Sequence, residues 1–401
     1  MAFKLLLLLP RTQRATSLQL AAACCLVLAL HLLPLSGHAA TVVTRLPGFD
    51  GPLPFSLETG YVSIDEDTGA ELFYYFVESE RSPATDPVFL WLTGGPRCSG
   101  FCGVAFEIGP INFVVEPYDG TLPRLVYNPD SWTRAASVLF LDSPVGTGFS
   151  YARDPQGYDV GDISSSRQVV TFLRKWFDDH PWLLSNPFYV GGDSYAGKTV
   201  PLVVQYISEG IEEMRHPLIN LKGYLVGNPV TGEKIDMNSR IPYAHSHGII
   251  SDQQYEEYRF YLSYFWANDN ATRAALGIKE GTVTEWVRCK RSGFPYTYDF
   301  HSSIKYHFNL TTRGYRLLVY SGDHDLIVPF SGTHAWIRSF NFSIVDDWRA
   351  WHLDGQAAGF TIKYANDLTF ATVKGGRHTA PGNRPKECLA MAKRWLHNEH
   401  L

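Results

Sequence analysis

The stretch Phe188-Tyr-Val-Gly-Gly-Asp-Ser-Tyr-Ala-Gly-Lys198 constrains this chain more than any other. Phe188 to Val190 is a short apolar run that reads as a strand, and Thr199 to Tyr206 is compatible with a helix. A chain that turns sharply from strand to helix strains its backbone, so the residues beside the turn must be small. Gly192 stands two positions before Ser194 and Ala196 two after it, a G-x-S-x-A pattern. Such a turn lifts the serine hydroxyl clear of the sheet. It also aims the Tyr195 amide at the place where a negatively charged oxygen would form. Gly/Ser patterns this short also arise by chance, so the rest of the chain decides the meaning.

Strands and helices alternate on both sides of this turn. Tyr61-Val-Ser-Ile64 and Glu71 to Val77 read as neighbouring strands, and Pro87 to Leu92 and Ala136 to Asp142 as apolar strands covered on both faces. Gly223 to Gly227, Tyr315 to Tyr320 and Asp367 to Val373 extend the series. Asp162 to Asp179 carries Val169, Phe172, Leu173 and Trp176 at helical spacing, and Lys386 to Leu396 forms a second amphipathic helix. This alternation predicts a mostly parallel sheet flanked by helices. From about 239 to 303 the pattern changes to a helical, Tyr/Phe/Glu-rich insertion, expected as a cap above the sheet.

Three polar side chains follow strand ends in the order Ser194, Asp325, His378. Serine needs an imidazole to take its proton, and the imidazole needs a carboxylate to hold its tautomer. Serine before acid before histidine is the order of the α/β-hydrolase fold, which is the fold class expected here. Asp323 competes with Asp325 as the acid; the spacing Gly322-Asp-His-Asp325 favours Asp325. The loop Thr93-Gly-Gly-Pro-Arg-Cys-Ser-Gly100, after another strand, offers backbone N–H donors.

Composition limits the remaining classes. The 401 residues are 45% hydrophobic and 19% charged with a net charge of −5, which describes one large globular domain and gives no electrostatic footprint for nucleic acid. Lys4, Arg11 and Arg14 precede an apolar run from Leu18 to Leu35, and Ser36-Gly-His-Ala-Ala40 supplies small residues for cleavage. Residues 1–40 are therefore expected as a cleaved signal peptide. The mature domain, 41–401, is expected in the secretory pathway, extracellular or vacuolar, with no membrane anchor. Asn270, Asn309 and Asn341 head N-x-[ST] glycosylation sequons. Cys98, Cys102, Cys289 and Cys388 remain after cleavage and allow three complete pairings. No metal-ligand pattern stands out, and His245-Ser-His247 reads as structural, so no metal or cofactor is expected.

With these residues in view, the chain resembles the serine carboxypeptidase family, especially its plant serine carboxypeptidase-like members. The matching motifs are Trp91-Leu-Thr-Gly-Gly-Pro96, Asn128-Pro-Asp-Ser-Trp132, Leu141-Asp-Ser-Pro-Val-Gly-Thr-Gly-Phe-Ser-Tyr151, Gly192-Asp-Ser-Tyr-Ala-Gly197, Gly227-Asn-Pro229, Tyr320-Ser-Gly-Asp-His-Asp325 and Gly375-Gly-Arg-His-Thr-Ala-Pro381. The resemblance covers nearly the whole mature chain. It implies Ser194 as nucleophile with Asp325 and His378 as partners, the amides of Gly95 and Tyr195 as an oxyanion hole, and a Cys98–Cys289 disulfide.

The same resemblance implies two activities. Carboxypeptidases of the family carry Asn before Gly-Gly-Pro and Glu before the serine, where they hold a peptide's terminal carboxylate. Here those positions are Thr93, beside Gly94, and Asp193, which looks like the plant acyltransferase branch. That branch passes an acyl group from a glucose ester to an alcohol or amine. Acyl transfer is the expected activity and C-terminal peptide hydrolysis the alternative. Two departures support a third outcome, a weak or inactive homologue. Relatives usually have Gly where Arg97 stands, and they carry a longer, cysteine-containing insertion after the segment matching Ser251 to Tyr255, so the cap is expected to be shortened.

Overall fold

The computed structural model describes residues 40–233, 235–236, 262–290 and 293–401. An eleven-stranded sheet organises them. In chain order its strands are β1 (Thr41–Val43), β2 (Leu57–Asp65), β3 (Ala70–Val77), β4 (Val88–Leu92), β5 (Ser137–Leu141) and β6 (Phe188–Asp193). They continue with β7 (Leu221–Gly227), β8 (Arg316–Gly322), β9 (Ile344–Leu353), β10 (Gln356–Tyr364) and β11 (Leu368–Val373). In space the order is β1-β2-β3-β5-β4-β6-β7-β8-β11-β10-β9. The six strands from β5 to β11 pair in parallel, and antiparallel ladders extend both edges. This is the α/β-hydrolase architecture.

Side-chain alternation explains why the central strands read as unbroken apolar runs. In β4, Val88, Leu90 and Leu92 enter one core, while Phe89 and Trp91 enter the other. Both faces of the strand are covered, so every position is apolar. The first core is closed by α1 (Asp162–Asp179) and α2 (Ala196–Glu212), through residues such as Phe172, Trp176, Val200 and Val203. On the other face α5 (Pro385–Leu396) contributes Cys388, Met391 and Trp395, and Trp266 and Trp286 pack there too. Two further helices, α3 (Ile304–Thr312) and α4 (Phe330–Arg338), lie before and after β8.

The helix that follows Ser194 contains Pro201, which cannot donate to the carbonyl four residues earlier. That carbonyl, Gly197, is instead within 3.3 Å of His307 Nε2. Burial holds the His307 pKa down at about 4, so the ring is neutral. With Nε2 protonated, Nδ1 accepts from the Tyr224 hydroxyl at 3.1 Å. A core histidine thus closes the gap that proline leaves beside the serine turn.

The expected insertion at 239–303 lies partly outside the described residues, as do His245, His247 and residues 1–39. Of what is described, 262–268 and Asn270–Ala275 are helical, Tyr296–Thr297 pairs with Val160–Gly161, and nothing from this region joins the main sheet. Trp266 stacks on Phe101 at 4.7 Å between ring centres. The Cys98–Cys289 disulfide ties the same region to the loop after β4, across 191 residues. Cys102 and Cys388 are buried thiols. Among the described residues no helix is long and apolar enough to cross a membrane. Asn270, Asn309 and Asn341 are all exposed.

Candidate active site

Four adjacent parallel strands, β6, β7, β8 and β11, end at one edge of the sheet, and the candidate side chains sit just beyond them. Ser194 occupies the turn between β6 and α2 with φ +55°, in the left-handed region. Its amide donates to Gly227 O at 2.8 Å and fixes the turn against the next strand. Gly192 is required by contact: a Cβ there would lie 2.2 Å from Leu92 O and 2.6 Å from the Ala196 Cβ. A larger residue at either position would push the turn off β4.

Ser194 Oγ lies 2.8 Å from His378 Nε2, and His378 Nδ1 lies 2.8 Å from Asp325 Oδ2. Asp325 is 1% exposed and accepts three further bonds, from the amides of Ile327 at 2.7 Å and Val328 at 3.1 Å and from Asn228 Nδ2 at 2.7 Å. Asn228 Oδ1 in turn accepts from the Gly322 amide at 3.0 Å. A carboxylate at Asp325 favours the Nδ1–H tautomer of His378, in which Nε2 is the acceptor facing the Ser194 hydroxyl. The competing Asp323 accepts from the Gly375 amide at 2.6 Å and pins the loop that carries His378. Sequence reasoning singled out Asp325 but missed Asn228 as its support, although Gly227-Asn-Pro229 was visible as a motif.

Gly94 and Gly95 run close past the serine. A Cβ on Gly94 would fall 2.7 Å from Ser194 Cβ and 2.8 Å from Tyr195 N, so only glycine fits. Among the described residues the amides of Gly95 and Tyr195 find no acceptor, while the Gly94 amide donates to Asp193 Oδ1 at 3.1 Å. Two amides without acceptors beside a serine are donors available to a charged oxygen.

Thr93 and Asp193 come together with a carboxyl that sequence reasoning missed. Glu107 Oε2 accepts from Trp91 Nε1 at 2.5 Å and from Thr93 Oγ1 at 3.3 Å. Burial, followed by the Asp193 charge, pushes the Glu107 pKa well above its ordinary value, and burial likewise raises Asp193. The two buried carboxyls disfavour each other's ionisation, so both give up their protons less readily than exposed carboxyls do. No sequence signal marks Glu107, because only the fold brings it to Trp91 and Thr93.

The pair has a consequence for stability. A carboxyl whose pKa rises on folding contributes stability at pH values below its unfolded pKa, near 4.5 for Glu107, and that stability is lost as pH climbs toward the folded value. Glu107→Gln removes this loss. The variant is expected to melt a few degrees (roughly 2–4 °C) above the wild type at pH 7–8, and the gap should close toward pH 4. Thermal melts across that range test it; a gap independent of pH would exclude a Glu107 pKa raised by folding.

The family model for serine carboxypeptidase matches residues 47–265 and 257–398. The two segments overlap at 257–265, near the place where the sequence departs from its relatives. Serine carboxypeptidase-like 3 and serine carboxypeptidase-like 2 of Arabidopsis thaliana are 45% and 46% identical, each alignment covering 94% of this chain and 97% of the relative. Both alignments run over 431 positions, more than this chain's 401 residues, so these relatives contain stretches with no counterpart here. Serine carboxypeptidase-like 19 of the same plant is 43% identical over 90% of this chain and 95% of its own. Among solved structures, the prohormone-processing carboxypeptidase Kex1Δp of Saccharomyces cerevisiae superimposes with a TM-score of 0.76 at 19% identity, covering 89% of this chain and 95% of that one. Strand order, the turn at Ser194 and similarity along almost the full length agree: the chain belongs to the serine carboxypeptidase family.

Proposed function

We propose that the protein is an acyl-transferring enzyme in which Ser194 is the nucleophile, His378 the general base and acid, and Asp325 the residue that orients and charges His378. The observation that carries this is the continuous chain of hydrogen bonds from Ser194 Oγ through His378 to Asp325, set beside two amides without acceptors. Ser194 Oγ attacks an ester carbonyl as its proton passes to His378 Nε2. The Gly95 and Tyr195 amides stabilise the charged oxygen, and the leaving alcohol takes the proton from His378. An acceptor hydroxyl or amine then gives its proton to His378 and takes the acyl group, and His378 returns that proton to Ser194 Oγ as it leaves.

The donor we assign is a glucose ester and the acceptor an alcohol or amine. Support comes from Thr93 and Asp193 at positions where the family's peptidases carry Asn and Glu. Thr93 is turned to Glu107, and one Asp193 oxygen is already taken by the Gly94 amide. A second activity, release of C-terminal residues from peptides, is favoured by the buried carboxyls of Glu107 and Asp193, whose raised pKa values favour the protonated form that donates to a terminal carboxylate. We also assign residues 1–40 as a cleaved signal, 239–303 as a shortened cap, and Asn270, Asn309 and Asn341 as glycosylated, which together place the mature protein in the secretory pathway.

The test uses purified mature protein with a glucose ester of a phenolic acid, with and without alcohol acceptors, beside a blocked dipeptide. Acceptor-dependent ester formation is the expected result. Release of the C-terminal amino acid would establish the peptidase instead. A folded, monodisperse protein that does neither would be an inactive homologue.

A further inference from the structure

Arg97 has no part in the acyl-enzyme chemistry, yet the fold holds it tightly. Its sequence position allowed a guanidinium pointing to solvent, but the residue is 3% exposed. Nη1 donates to Phe294 O at 3.2 Å and Nη2 to Val145 O at a long 3.4 Å. The guanidinium carbon lies 5.6 Å from the Phe294 ring centre and 5.8 Å from that of Tyr296. Nε is buried without a hydrogen-bond partner. Among the described residues no carboxylate stands within ion-pair distance of it. Buried cations are ordinarily paired, and two carbonyls with two ring faces replace only part of the lost hydration.

The backbone makes the placement harder to dismiss. Arg97 has φ +68°, where glycine is at ease and a long side chain is strained. Its carbonyl accepts from the Lys290 amide at 3.1 Å, and the next residue is locked in the Cys98–Cys289 disulfide. The side chain lines a cavity of about 30 Å³ together with Thr93, Gly94, Tyr195, Ser166 and Tyr296. By the same measure a water needs roughly 10–15 Å³, so the space suits two waters or one carboxylate head. Three of these lining residues, Thr93, Gly94 and Tyr195, also belong to the candidate active site.

We propose that this cavity receives a free carboxylate carried by the substrate's acyl group, with Arg97 as its counter-charge, so that the enzyme selects dicarboxylic half-esters as donors. This rests on the acyl-enzyme assignment at Ser194. Arginine suits the role because its planar fork still has an unused donor after the two carbonyl bonds.

The experiment compares two nitrophenyl esters of equal chain length, p-nitrophenyl valerate and mono-p-nitrophenyl glutarate, on the mature protein. In each, the acyl carbon bonds to Ser194 Oγ as nitrophenolate leaves, and water then frees the acid. The wild type is expected to favour the glutarate in kcat/KM by roughly 10- to 100-fold, the range of one charge-assisted contact. Arg97→Gly should bring the ratio to about one or below; glycine suits φ +68° and leaves no buried charge, so this variant is expected to fold. Arg97→Lys, a point charge without the fork, should retain only part of the preference. A wild type with no preference, or a preference that survives Arg97→Gly, overturns the proposal. So does absent preference with chloride inhibition of the wild type but not of Arg97→Gly, which would assign the cavity to a free inorganic anion. If Ser194→Ala hydrolyses both esters as fast as the wild type, the acyl-enzyme assignment itself has failed, and that outcome is distinct from the others.

Discussion

Ser194→Ala is expected to lower kcat/KM for any ester the protein turns over by about 10⁵- to 10⁶-fold, and to abolish covalent labelling by a fluorophosphonate. In the proposed mechanism this removes the nucleophile, so water must attack directly and His378 has no bonded hydroxyl to deprotonate. The residual rate should stay above the uncatalysed one, because the Gly95 and Tyr195 amides proposed to hold the charged oxygen are unchanged. The variant is a clean probe of chemistry. Alanine at φ +55° carries nearly the same backbone strain as serine, the Ser194 amide keeps its bond to Gly227 O, and the packing of Gly192 against Leu92 is untouched. Labelling of Ser194→Ala at the wild-type rate would remove Ser194 from the role proposed for it.

Much of this fold was legible in the sequence because its central strands are buried on both faces. Phe188 to Val190, Pro87 to Leu92 and Tyr315 to Tyr320 are apolar at nearly every position, and each is followed by Gly-rich or polar loop residues. The β9–β10 hairpin escaped notice for the opposite reason. Ile344, Val345, Trp348 and Phe360 are exposed on an edge ladder, and three irregularities in its register break the two-residue period. The available signal was Asp354-Gly355, both at positive φ, which is the turn chemistry of a two-residue hairpin. The first strand, Thr41–Val43, is too short to carry any period and pairs only with β2.

The candidate site divides in the same way. Ser194, Asp325 and His378 follow strands whose ends the sequence marks, so the loops that bear them could be placed. Glu107 lies in a buried π-helical turn, Gly103–Glu107, and comes within electrostatic reach of Asp193 only because β4 packs beside β6. The burial of Arg97 likewise depends on Phe294 and Tyr296, which lie about 200 residues away along the chain. Linear spacing says nothing about such contacts.

Asp325→Asn is expected to lower kcat by roughly 10²- to 10⁴-fold, the upper figure applying where the histidine tautomer is lost, and Asp323→Asn by less than about tenfold, although the two residues lie in one loop. Asp325 accepts from four donors. Oδ2 serves His378, Asn228 and Val328, and Oδ1 serves Ile327. An asparagine amide must replace one of those oxygens with an N–H donor. Placed toward Oδ2, it opposes three donors and favours the His378 tautomer protonated at Nε2, which cannot take the serine proton. Placed toward Oδ1, it opposes only Ile327 and keeps the tautomer, so this orientation should dominate. Even then the negative charge is gone, and the imidazolium that forms as Ser194 attacks loses its counter-ion in a buried site. Asp323 meets the Gly375 amide with a single oxygen, and an asparagine carbonyl can do the same. Steady-state kinetics on the two variants therefore separate the residue proposed to charge His378 from the one that holds its loop. A fall in Asp323→Asn as deep as that in Asp325→Asn would mean that loop position, and not the buried charge of Asp325, limits the reaction.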